Sequence, residues 1–166
     1  MTDYILDTVH RLQKKLRTKD PFEAAQNLGI HVFYRNLNNL KGFYTLRCRE
    51  RYIVINDTLS QNEQKVVCAH ELGHDRLHRH FAQYTPLQDL MIYDMTLKPE
   101  REANIFATEF LLSDSDILDN ADQTVEQLSS FFGVDERYIQ LKLQLMQRQL
   151  WVYHLKIEKN RLTGGF

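Results

Sequence analysis

Ser60 to His80 reads SQNEQKVVCAHELGHDRLHRH, and how this stretch folds decides the rest of the chain. It opens on Ser60-Gln61-Asn62-Glu63, the sequence form of a capping box. The serine oxygen accepts from the Glu63 amide, and the glutamate reaches back to the serine amide. A helix begun there runs through Val66, Val67 and Ala69 into four histidines within eleven residues, His70, His74, His78 and His80. On a helix, residues four apart share a face and lie about 6 Å apart along the axis, so His70 and His74 present two imidazoles to one point. Glu71 projects about 100° round from His70 and flanks that point. Two imidazoles and a flanking carboxylate at this spacing can hold a metal ion and take a proton from an attacking water. On a loop the same letters would define no common face. The capping box supplies the helix.

A catalytic zinc takes three protein ligands and keeps one position open. His78 continues the stripe but lies about 12 Å along a regular helix from His70, too far to share its ion. His80 stands where the HExxHxxGxxH pattern puts its third histidine. That pattern needs a glycine at position 77, where the chain folds back, and here Leu77 favours a continuing helix. Both histidines are therefore read as surface or loop residues. The other source is PEREANIFATEF, a helix opening at Pro99. Glu100 is favoured as the third ligand because Asn104, four residues on, faces the same way and can hydrogen-bond a ligand histidine. Glu102 points about 160° away from Glu100 and is the alternative ligand. Zinc suits a His-His-Glu set, and manganese (Mn2+) or iron can also occupy one.

Outward from this helix, the chain reads as one α+β domain spanning residues 1–166. Ile5, Val9, Leu12 and Leu16 recur at helical spacing, which gives an amphipathic first helix rather than an export leader. Asp20-Pro21 opens a short helix, Phe22 to Leu28, with Gly29 where its C-cap would lie. IHVFY, GFYTL and RYIVIN are branched and aromatic runs separated by NLNN and RCRE, so they form a small, mostly antiparallel sheet. Arg51 to Asn56 is taken as its edge, the place where an extended peptide could add a strand. Tyr84 to Lys98 is read as a loop over the site, and Tyr84, Tyr93, His78 and His80 are the candidates there for stabilising an oxyanion. Two further helices, about Thr124 to Phe132 and Asp135 to Gln149, make a carboxyl-terminal helical part, and WVYHLKI reads as a last strand.

Composition excludes several classes of function. A net charge of −1 gives no field that would draw the whole molecule to nucleic acid or an anionic membrane. No window approaches the roughly 18 apolar residues of a membrane span. Two cysteines without a CxxC pair fit a cytoplasmic protein. LSSFFGVDERYIQLKL has the helix, glycine turn, helix order of a DNA-binding motif. From Ala121 to Leu150, however, the basic residues are Arg137, Lys142 and Arg148, against Asp122, Glu126, Asp135 and Glu136. That is a poor footprint for phosphates, so direct DNA binding is not expected.

HELGH followed by EREANIFATEFLL resembles the ImmA/IrrE family of zinc metallo-endopeptidases. The likeness reaches back through GFYTLRCRERYIVINDTLSQNEQKVVCAHELGH and forward through TVEQLSSFFGVDERYIQLKLQLM, nearly the whole chain. It implies a gluzincin-like site with His70, His74 and Glu100 as ligands and Glu71 as base. It also implies a substrate, a helix-turn-helix repressor of a phage or mobile element, cleaved to release the element's genes. The alternative is a non-cleaving antirepressor that binds and sequesters that repressor. The chain departs from the family at LLSDSD, where members commonly have a proline after the two leucines. The departure bears on the loop after Phe110 and not on the ligands.

Overall fold

The computed structural model describes residues 2–79, 87–89 and 98–163. Helix α1 (Thr2–Leu16) buries Ile5, Leu6, Val9 and Leu12 along one stripe. Helix α2 (Pro21–Asn27) starts under Asp20, whose carboxylate accepts from the amides of Phe22 and Glu23. Leu28 caps it, and Gly29 follows at φ +69°, the left-handed conformation that glycine adopts most easily. Strands β1 (Ile30–Arg35), β2 (Gly42–Arg47) and β3 (Glu50–Asn56) come next. Cys48 and Arg49, at φ +52° and +69°, form the two-residue turn between β2 and β3. Two positive φ angles are the mark of the primed turn, whose twist matches that of paired strands.

The sheet has the order β1-β3-β2-β4, where β4 is the short strand Leu87–Asp89. β2 runs antiparallel to both β3 and β4, and β1 is parallel to β3. The fold is thus α+β with a small, mostly antiparallel sheet. Two expectations change. Arg51 to Asn56 is not an edge: β3 pairs on both sides, so among the described residues the edges are β1 and β4. The stretch after Tyr84 is not all loop, because β4 lies within it. His80, Tyr84 and Tyr93 lie outside the described residues.

Helix α3 (Gln61–Leu77) begins with the capping box formed in full: Ser60 Oγ accepts from the Glu63 amide and Glu63 Oε2 from the Ser60 amide. From Val66 to Asp75 every residue is buried, because the sheet and α2 cover one side of α3 and α4 (Lys98–Leu111) covers the other. α1 and α7 (Glu136–Thr163) in turn pack on α4. Gly73 sets the separation of α3 and α4. A Cβ there would lie 3.2 Å from Ala103 Cα and Phe106 Cβ and 3.3 Å from the Ala103 carbonyl. A glycine inside a helix costs about 1 kcal/mol relative to alanine, so close packing is what holds it there. Gly73→Ala gains back much of what its methyl loses in crowding. Gly73→Val cannot, and it is expected to destabilise the protein by about 1–3 kcal/mol, read as a lower urea midpoint.

After α4 the chain makes a turn of helix absent from the sequence reading, α5 (Asp114–Leu118). Ser113, at the position where the resemblance has proline, is its N-cap, and Asp116 completes a second capping box. Helix α6 (Val125–Phe132) is capped by Thr124 and closed by Gly133 at φ +65°. α7 follows, with Asp135 Oδ1 accepting from the Arg137 amide. It includes WVYHLKI, which is helical and not a strand. No glycine or proline interrupts Gln149 to Ile157, and each added helical residue closes one more bond, whereas a strand must find a sheet edge. The first turns of α7 are used inside the molecule. Tyr138, Ile139 and Lys142 are buried, and Lys142 Nζ lies 2.6 Å from both Glu109 Oε2 and Asp114 Oδ1. Glu109 also meets His10, its Oε1 lying 2.7 Å from the imidazole Nε2, so one charge cluster ties together α1, α4, α5 and α7. No helix among the described residues is long and apolar enough to cross a membrane.

Candidate metal centre

The helical face of α3 that meets α4 carries His70 and His74, both at 0% exposure. The first turn of α4 brings Glu100 to them. His70 Nε2 lies 3.1 Å from His74 Nε2 and 3.2 Å from Glu100 Oε2, and His74 Nε2 lies 3.4 Å from Glu100 Oε1. Tetrahedral ligands bonded at roughly 2.0–2.1 Å stand about 3.3 Å apart, so the observed spacings are those of donors around one ion. Among the described residues, His70, His74 and Glu100 are the His, Cys and acidic groups that converge in this way.

Protonation of the surrounding groups fits the same conclusion. Asn104 Oδ1 lies 3.0 Å from His70 Nδ1 and accepts its proton, which leaves the lone pair on Nε2, toward the centre. Tyr138, on α7, donates to the same oxygen at 3.3 Å. Burial holds the His74 imidazole down at about 4, despite the raising effect of Glu100. Burial pushes the Glu100 carboxyl up, but the bonds and charges of His70 and His74 outweigh it and hold the group at about 2. At neutral pH, then, His74 is uncharged and Glu100 ionised, the states a metal ligand must have. Lone pairs of two imidazoles and a carboxylate meeting in a buried space repel one another unless a cation lies among them.

Those titrations set an acid limit. With a chelator present, the unfolded chain protonates His74 near its ordinary 6.5, while the folded chain does so only near 4. Between those values the unfolded state binds the extra proton, so stability falls as pH falls. The loss is expected to reach up to about 3 kcal/mol from His74, with Glu100 adding to it below 4.5. Urea midpoints at pH 7, 6, 5 and 4 in chelator would measure it; a flat profile would mean that His74 does not have this environment.

Glu71, the residue after His70, comes close to the sheet. It is fully buried, and its Oε1 would lie 3.6 Å from a Cβ placed on Gly42 of β2. What requires glycine there is crowding by other atoms: a Cβ would lie 2.4 Å from Val67 Cγ1 and 3.0 Å from the Val54 carbonyl. Glu102 does not join His70 and His74. Its Oε2 lies 2.9 Å from His78 Nε2, and its Oε1 3.9 Å from Lys98 Nζ. His78 is not a surface residue either: it is 4% exposed, and its Nδ1 lies 3.2 Å from His74 Nδ1. The 12 Å spacing excluded His78 from the ion but said nothing of its contact with His74, four residues away. Tyr138 carried no signal beyond its place on an apolar stripe.

Compared with known proteins, residues 25–144 match a peptidase family model described as the IrrE N-terminal-like domain. Over 137 residues the chain is 39% identical to "Uncharacterized immunity region protein 2" of Bacillus phage phi105, an alignment that covers 81% of this chain and 85% of the phage protein.

Proposed function

Since the chain belongs to the IrrE N-terminal-like peptidase family, we propose that it is a zinc-dependent endopeptidase that cuts a helix-turn-helix repressor at one bond and so releases a phage's or mobile element's genes. The observation that carries the reading is the convergence of His70 Nε2, His74 Nε2 and the Glu100 carboxylate within 3.1–3.4 Å of one another, with Glu71 next to His70 on the same helix. The immunity-region name of the phage relative fits a link to a repressor.

In this reading His70, His74 and Glu100 are the ligands, and Asn104 orients His70. The zinc would supply Lewis acidity, polarising the scissile carbonyl and making water more acidic. Glu71 takes the proton of the attacking water and passes it to the leaving amine nitrogen. We assign the outer edge of β4 to the extended substrate, because β4 pairs with β2 from Gly42, the residue beside Glu71.

The test pairs the purified protein with the helix-turn-helix repressor encoded beside it, with zinc or manganese added, and weighs the products by mass spectrometry. A single cut supports the reading. An intact repressor that co-elutes with the protein replaces it with a sequestering antirepressor.

A further inference from the structure

The two histidines of the centre are supported differently. His70 has an ordinary partner, an amide oxygen on the next helix. His74 has another imidazole. The chain that begins at His74 runs Nδ1 to His78 Nδ1 at 3.2 Å, then His78 Nε2 to Glu102 Oε2 at 2.9 Å. His74 and His78 are 0% and 4% exposed, and the Glu102 side chain is 17% exposed. The Glu102 carboxylate can only accept, so His78 Nε2 carries the proton of that bond. In its neutral form His78 presents its remaining lone pair at Nδ1, and a bond to the facing Nδ1 then requires the proton on His74. That leaves the lone pair of His74 on Nε2, where His70 Nε2 and Glu100 stand.

We propose that His78 and Glu102 form a positioning relay that fixes the tautomer and ring orientation of His74 for metal binding. Supporting partners of this kind are usually a single carboxylate, carbonyl or water. Here the carboxylate acts one imidazole further away. The fold explains why. His78 is the C-cap of α3, its amide bonded to the His74 carbonyl at 2.9 Å, so its ring falls one turn beyond that of His74. Glu102 reaches it from the face of α4 opposite to Glu100. Two carboxylates two residues apart thus serve neighbouring histidines, one at the centre and one behind it.

The inference rests on reading His70, His74 and Glu100 as ligands, so its test has one arm independent of metal. Wild type, His78→Leu, His78→Gln, Glu102→Leu and Glu102→Gln would be prepared. Their folding in chelator is checked by circular dichroism and thermal midpoint. Zinc affinity is then measured by competition with a chromogenic chelator, and the tautomer of His74 is read in metal-free protein from imidazole nitrogen chemical shifts. Folded His78→Leu and Glu102→Leu should bind zinc about 10–100-fold more weakly and lose the pure Nδ1–H form of His74. His78→Gln should restore both, because its amide can accept from His74 and donate to Glu102. Glu102→Gln keeps an acceptor oxygen and should fall between. If His78→Leu does not fold, the Glu102 pair decides. Unchanged affinity and an unchanged tautomer in the folded leucine variants would overturn the relay. A wild type that binds no zinc would overturn the ligand reading instead, and the tautomer arm would still judge the relay.

Discussion

Glu71→Gln is expected to bind zinc as the wild type does and to cut nothing measurable, with the rate of repressor cleavage falling by about 10²–10⁴-fold. The two side chains have the same shape, so the 0% exposed position beside Gly42 accepts either without repacking. What changes is the ability to take a proton. The amide cannot receive one from water, and the amine leaving group then has no acid to protonate it. The measurement is a time course of repressor mass with wild type and variant at equal zinc loading. Cleavage retained by Glu71→Gln would remove Glu71 from the chemistry. Loss of cleavage together with loss of zinc would move Glu71 into the ligand set.

The second large effect concerns the third ligand. Glu100→Ala should lose zinc by more than the roughly 10–100-fold that removal of a supporting partner costs, because the ion keeps two imidazoles and no charge to balance it. Glu102→Ala should show only the smaller loss. The order of the two decides between the carboxylates that the sequence left as alternatives, since both are on the first turns of α4 and both are within reach of α3 histidines. Zinc titration of each variant, with apo-protein stability measured alongside, checks it. The reverse order would make Glu102 the ligand.

Much of the fold could be read because its signals are local. Asp20-Pro21, the Ser60 and Thr124 caps and Gly133 each act through bonds to residues two to five positions away, so the sequence contains both partners. α5 obeys the same rule, through the S-x-x-D cap that begins at Ser113, where the resemblance has proline. Strand order was not legible. The β2–β3 hairpin is a neighbour contact, whereas the parallel pairing of β1 with β3 depends on which side of the hairpin the first strand joins, and no short-range feature states that. WVYHLKI failed for a different reason: it continues α7 with no glycine or proline to stop the helix, and branched and aromatic residues lower helix propensity only slightly.

The candidate centre divides along the same line. His70, Glu71 and His74 follow from helical spacing alone. Glu100 and Asn104 needed a second helix, and their shared face was a usable signal because four-residue spacing applies there as well. Helical spacing states which side chains can share an ion and is silent on His78, whose contact is with another histidine. Tyr138 reaches Asn104 across 34 residues of sequence, a separation that carries no pattern.

Helix α3 is a partition. His70 and His74 face the helical half of the molecule, which packs on α3 at Gly73, and Glu71 stands beside β2 at the margin of the sheet. If β4 takes the substrate as proposed, substitutions along its outer edge should alter which peptide is admitted and leave His70, His74 and Glu100 as they are. On that proposal recognition and reactivity are separately heritable, and the first could be revised without rebuilding the second.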